Sequence, residues 1–132
     1  MKKMFAVPLL AFAAACAPVE PAQLADAAQS ELTTALRGRT PGQPVSCVAQ
    51  HNLRGSRSAG QGVILFEGRG DLVYVNRPPA GCPALDGSRT IVTRTPANQL
   101  CRGDTVTVID LPSGTHYGAC GLGDFTPYRR SR

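Results

Sequence analysis

The chain has no tryptophan and few aromatic residues of any kind, four Phe and three Tyr in 132 residues. A core built without large rings rests on Val, Ile, Leu and Ala. Lysine occurs only as Lys2 and Lys3; every other basic residue is arginine. The apolar runs reach about a dozen residues at most, too short to span a hydrocarbon core of ~30 Å as a stable helix. Cys-x-x-Cys and Cys-x-x-His are absent, which removes the common zinc spacings. Gly-x-Ser-x-Gly is absent, and with it the strained turn that exposes a hydrolase serine. An Asp-x-Asp-x-Asp calcium loop is missing too. The glycine-rich stretches Gly60-x-Gly62 and Gly118-x-x-Gly121-x-Gly123 do not stand between a strand and a helix, as a phosphate cradle requires. They read as bulges and turns. No internal repeat is present.

What is there begins with an export signal. Met1-Lys2-Lys3 is a short positive segment, and Met4 to Ala15 is apolar, ending in Ala13-Ala14-Ala15-Cys16. Residues 1–15 therefore read as a cleavable signal peptide. Small residues directly before Cys16 resemble the lipobox of bacterial lipoproteins, in which the cysteine becomes the acylated first residue. Ala13 stands where that motif usually carries Leu, so ordinary signal peptidase cleavage is the competing expectation. The net charge of +5, less the two charges of Lys2 and Lys3, leaves +3.

The five cysteines support the lipoprotein expectation. With Cys16 lipidated, Cys47, Cys82, Cys101 and Cys120 remain, an even set that can pair in an oxidising compartment. Four cysteines allow three pairings. The nested one, Cys47 with Cys120 and Cys82 with Cys101, is the weakly preferred expectation, because it clips the domain ends and closes a central excursion.

Residues 16–43 read as a tether: an extended spacer, then a helical pattern from Ala22 to Leu36 with a Leu24/Leu32/Leu36 stripe, ended near Gly38. That helix either is a mobile spacer or docks by its stripe, since isolated helices of ~12–15 residues are marginal in water. Residues 44–128 read as the domain. Strands are expected at 45–48, 63–67, 71–76, 90–93, 105–110 and 117–120, with hairpins across Gly68-Arg69-Gly70 and Leu111-Pro112-Ser113-Gly114. The 14 Gly and 11 Pro are spread along the chain and favour short elements. The expected fold is mostly β: a small disulfide-stapled barrel or rolled sheet of five to six short strands, preceded by a short N-terminal helix. Residues 129–132 form a basic C-terminal tail, either frayed or touching anionic lipid.

Cys47, the hairpin Val63–Asn76, Gly81-Cys82-Pro83-Ala84-Leu85, Leu100-Cys101-Arg102-Gly103-Asp104 and Cys120-Gly121-Leu122-Gly123-Asp124-Phe125-Thr126-Pro127 together resemble a family of small exported proteins of alphaproteobacteria, sphingomonads especially. The resemblance spans the domain but not the tether. It implies the domain boundaries and the four domain cysteines, and it brings no activity or catalytic residues.

Chemical candidates are few. His116, Asp110 and Ser113 match a hydrolytic triad in residue type alone. Asp104, Asp110 and Asp124 stand near strand ends, where turn capping competes with cation binding. Arg102-Gly103-Asp104 matches an integrin-binding tripeptide, and reads as a turn. Arg54, Arg57, Arg69, Arg77, Arg89, Arg94 and Arg102 are scattered, as a GC-rich genome produces, and export takes the chain away from nucleic acid. The expectation is a non-enzymatic envelope lipoprotein module, periplasm-facing and anchored through Cys16, with the outer membrane the favoured location. Its role is binding or structural, toward an envelope protein or a glycan. A small secreted inhibitor or stress factor is the alternative, with a hydrolase after it. No catalytic residue, cofactor, metal or nucleic-acid partner is expected.

Overall fold

The computed structural model describes Cys16 and residues 21–60, 62–86 and 89–131. The expected signal peptide, the spacer residues 17–20 and Arg132 lie outside the described residues. Among those described, one α-helix precedes ten strands, with a single 3-10 turn, Gln50–Asn52, between the second and third. The strongest strand explains the layering. In β4 (Ile64–Gly68) three large apolar residues follow one another, Ile64, Leu65 and Phe66, and all three are buried. Neighbours on a strand point to opposite faces. A strand buried on both faces must therefore be covered on both sides.

One cover is helical. In α1 (Pro21–Ala35), Leu32 and Ala35 pack with Leu65 and with Val73 and Val75 of β5 (Val73–Asn76). Leu36 joins the same cluster from just past the helix end. The expected stripe thus docks through Leu32 and Leu36; the Leu24 side chain lies outside the described residues. The contact is close at Gly60, where an added Cβ would fall 2.5 Å from the Ala28 Cβ. A backbone φ of +88° favours glycine there as well.

The other cover is built from two smaller sheets. Ile64 and Phe66 face Val106 and Val108 of β8 (Thr105–Ile109) and Leu100 of β7 (Gln99–Cys101) across the main core. Phe125 sits fully buried there, with its ring 5.5 Å from Phe66 and edge-on to Tyr74. β8 alternates cleanly because only one of its faces is buried, and it pairs with β6 (Thr90–Thr93) and β9 (His116–Gly121).

All pairings are antiparallel, in three sheets. β1 (Arg39–Pro41), β10 (Phe125–Arg130), β5, β4 and β3 (Leu53–Ser58) form the largest in that order. β2 (Cys47–Ala49) with β7 forms the second, and β6-β8-β9 the third. The expected hairpins β4–β5 and β8–β9 are both present.

Three expectations are corrected. No closed barrel forms; ten strands among the described residues, where five to six were expected, divide into three sheets. β1 lies within the segment read as tether, and Arg129 and Arg130, read as tail, extend β10 and pair with Thr40 and Arg39. Strand β10 contains Pro127, which cannot donate to a ladder. The position lacking a donor faces the β1 side, where β1 has already ended at Pro41 and the Pro127 carbonyl still accepts from Gly42 N at 2.7 Å.

The nested disulfide pairing is also corrected: the bonds join Cys47 to Cys101 and Cys82 to Cys120, interleaved along the chain. The reason is register. Buried Val48 and Leu100 are partners in the β2–β7 ladder, and this alignment sets Cys47 opposite Cys101. Cys120 faces the core and meets Cys82 in the proline-rich loop. With separations of 54 and 38 residues, chain-entropy arguments give each bond about 4 kcal/mol. Among the described residues no helix is long and apolar enough to cross a membrane.

Candidate binding cleft

The catalytic candidates do not assemble into a triad. Ser113 Oγ donates to Asp110 Oδ2 at 2.6 Å and lies 2.8 Å from Thr115 Oγ1. Asp110 Oδ2 also accepts from Ser113 N, and Gly114 N donates to the Asp110 carbonyl. This is a hairpin turn closed on itself, with Ser113 directly on the carboxylate and no hydrogen bond to His116 among the described residues. His116 and His51 are both exposed.

The carboxylates are also dispersed. Asp104 Oδ2 accepts from Cys101 N at 2.7 Å, and Asp104 N donates back to the Cys101 carbonyl. Arg102-Gly103-Asp104 is therefore a capped turn, held to Leu122 by Gly103 N and by the Asp104 carbonyl. Asp124 pairs with Arg102 at 3.3 Å. No group of three or more His, Cys, Asp or Glu is gathered among the described residues. Of the cysteines, Cys16 alone is free, and it is exposed.

The segment before Asp124 is held by a buried side chain. Asn76 is fully buried; its Nδ2 donates to the Gly123 carbonyl at 2.8 Å and its Oδ1 accepts from Gly123 N at 2.9 Å. The side-chain amide stands in for a strand and satisfies both backbone groups of Gly123. A Cβ on Gly123 would lie 2.5 Å from the Arg77 carbonyl oxygen. This lock fixes Asp124 at a groove of about 510 Å³ that also carries Arg77, Arg102 and Tyr128. The ion pair between Asp124 and Arg102 leaves Arg77 as the charge in that groove without an ion pair among the described residues.

A different arrangement holds where two sheets fail to meet. β3 is the last strand of the five-stranded sheet and β6 the last of the three-stranded sheet. They come within 8 Å but share no ladder. Around Arg57, Ser58 and Thr90 the gap holds no space for a water. It then splays into a cleft of about 280 Å³ at Gln50, Leu53, Arg54 and Thr93, with Phe66 and Leu100 below and Ile91 on one wall. The seam is a wedge, shut at one end and open at the other.

The splay has a local cause. Leu53 pairs with Gly68 and Gly55 with Glu67, so Arg54 is an extra residue in β3, a β-bulge. In a regular strand Leu53 and Arg54 would point to opposite faces. Here Leu53 lines the cleft, and Arg54 borders both the cleft and a depression that carries Arg39, Arg57 and Glu67.

The arginines near the seam are not equivalent. Arg57 lies 3.7 Å from Glu67. Arg89 donates to the Ala84 carbonyl at 2.7 Å, pairs with Asp86 and lies 3.6 Å over the Tyr117 ring. Arg69 Nε donates to the His51 carbonyl. Arg54 has no ion pair or hydrogen bond through its side chain among the described residues; it is the single charged residue lining the open cleft, and it also borders a depression that carries Arg39, Arg57 and Glu67. Sequence reasoning named Arg54 as one of several scattered arginines and missed its place. The one available signal was Gly55, since glycine inside a strand marks a bulge or a close approach.

No family model, curated protein or solved structure matches the chain, so what the cleft does has to be argued from its own geometry.

Proposed function

We propose that this chain is a non-enzymatic binding module of the cell envelope, held at a membrane by acyl chains on Cys16, with the β3–β6 cleft as its ligand site. The observation that carries the reading is the cleft itself. Two sheet edges face each other over an apolar floor, and Arg54 is the one charged residue in the lining. Convergent apolar walls with a few placed polar groups are the usual form of a recognition site. The exposed, unpaired Cys16 beside four cysteines in disulfides supports the anchor. Acylation at more than one position of that residue would give stable membrane attachment.

Intact mass of the native protein, before and after reduction and alkylation, tests the anchor. The expected result is an acylated Cys16 at the N-terminus; an unacylated Cys16, or a chain starting beyond it, removes the anchor. A photo-crosslinking residue at Thr93 tests the site in cells. A discrete adduct is expected there and not with the same residue at Arg129, and equal labelling at both positions counts against the cleft.

The inhibitor reading is favoured by one observation. Leu111 is 70% exposed at the tip of a hairpin whose turn is tied by Asp110 and whose second strand carries a disulfide. A rigid protruding apolar residue suits insertion into an enzyme cleft. Suppression of a peptidase or muramidase that disappears in Leu111→Asp would establish it.

A further inference from the structure

We propose that the depression at the C-terminal end of α1 is a phosphate site, in which Arg39, Arg54 and Arg57 hold the oxygens of a phosphate monoester. It is a second site, on the opposite face of the five-stranded sheet from the cleft, and does not depend on the cleft having a ligand.

Register places the side chains. Arg57 is the ladder partner of Leu65, and Glu67 of Val73. Leu65 and Val73 pack against α1. Directly opposed residues share a face, so Arg57 and Glu67 stand on the face that α1 covers. The helix stops at Ala35. Past that point the face opens as a depression of about 230 Å³ with Ala35 on one side. Arg39, the first residue of β1, and Arg54, the extra residue of the β3 bulge, complete its charged lining.

Charge selects the ligand. Three guanidinium groups border the depression with one carboxylate, Glu67, an excess of two positive charges. Glu67 stands 3.7 Å from Arg57, and both side chains are about half exposed; such a pair contributes little in water. The Asp71 carboxylate is matched by Arg130. Arg39 is fixed in advance. Its Nε donates to the Asp71 carbonyl at 3.0 Å and its Nη1 to the Ala35 carbonyl at 2.7 Å. These bonds set the plane of the guanidinium and leave Nη2 for a ligand. The second also caps the helix end, whose negative dipole would otherwise oppose an anion.

A phosphate monoester carries about −1.5 to −2 charge at pH 7 and three acceptor oxygens. Its charge matches the excess of two, and its oxygens suit guanidinium forks. A carboxylate or a sulfate monoester brings a single charge. The phosphate can belong to a soluble molecule or to a lipid headgroup, and experiment separates the two.

The test is an NMR titration of the isotope-labelled full chain with phenyl phosphate, phenyl sulfate and benzoate, followed at the arginine Nε–H signals. Phenyl phosphate should shift Arg39, Arg54 and Arg57, and bind tighter than the other two by about fivefold, the worth of one half-exposed ion pair. R57Q should weaken it by a similar factor, and E67Q should tighten it. R77Q removes the same charge beyond the far end of β5 and should leave the affinity unchanged. An unchanged amide spectrum away from the depression verifies that R57Q is folded. Sedimentation with phosphatidylcholine vesicles, with and without phosphatidic acid, names the source. Binding that requires phosphatidic acid and is lost in R57Q assigns a lipid headgroup; phenyl phosphate binding without that requirement assigns a soluble monoester. No binding of phenyl phosphate, equal affinity for the three ligands, or equal loss in R57Q and R77Q would overturn the inference.

Discussion

Asn76→Ala removes one buried side chain and strips two partners from the backbone of Gly123. Both Gly123 groups are enclosed, and both depend on Asn76, at 2.8 Å and 2.9 Å. An unsatisfied buried donor or acceptor costs roughly 1–3 kcal/mol, so the two together amount to about 2–6 kcal/mol. Domains of this size are typically stable by only about 5–15 kcal/mol. A loss of about 3 kcal/mol would lower the thermal midpoint by roughly 12–24 °C. The assay is thermal unfolding with the disulfides intact, followed by circular dichroism, paired with hydrogen exchange at the Gly123 amide. That amide should be protected in the parent protein and exchange faster in the variant. A midpoint change under about 4 °C, close to 1 kcal/mol, would refute the claim that this amide holds the Leu122–Asp124 segment.

Further outcomes follow from the same contacts. Cys47 is exposed and Cys101 half-buried, whereas Cys82 is 1% and Cys120 8% exposed. Mild reductant followed by differential alkylation should therefore label Cys47 and Cys101 first; simultaneous labelling of all four would contradict the difference in access. Gly60→Ala places a methyl 2.5 Å from Ala28 and should displace α1, raising hydrogen exchange over residues 28–36 while β8 and β9 stay protected. Unchanged exchange in the helix would mean that it does not dock at Gly60. Val106→Ala empties a fully buried position in the main core. It should cost about 2–4 kcal/mol by denaturant titration, in line with core truncations, and a cost under about 1 kcal/mol would show that the core is loosely packed at β8.

Some of this architecture is local and was therefore readable in advance. Thr90–Thr93 forms β6 at the expected bounds. The β8–β9 hairpin follows from clean alternation before a Pro-Ser-Gly turn, where the Asp110 carboxylate closes the turn within three residues. The candidate site was not readable. β3 reads Leu-Arg-Gly-Ser-Arg-Ser and carries no apolar period. It is a strand because β4 offers it a ladder, and that partner is named by the fold, not by the segment.

Taken alone, the order of residues determined that four cysteines stand in the β-rich region, that apolar residues recur with a strand period, and where the tight hairpins turn. Each of these depends on neighbours a few positions apart. The tertiary structure decided which cysteines meet, because Val48 had first to find Leu100. It also decided that Arg39–Pro41 and Arg129–Arg130 belong to one sheet, and that β3 and β6 diverge at Arg54 to leave a cleft. These outcomes depend on contacts between distant segments. Their energy comes from burial and backbone pairing that exist only once the chain has closed on itself.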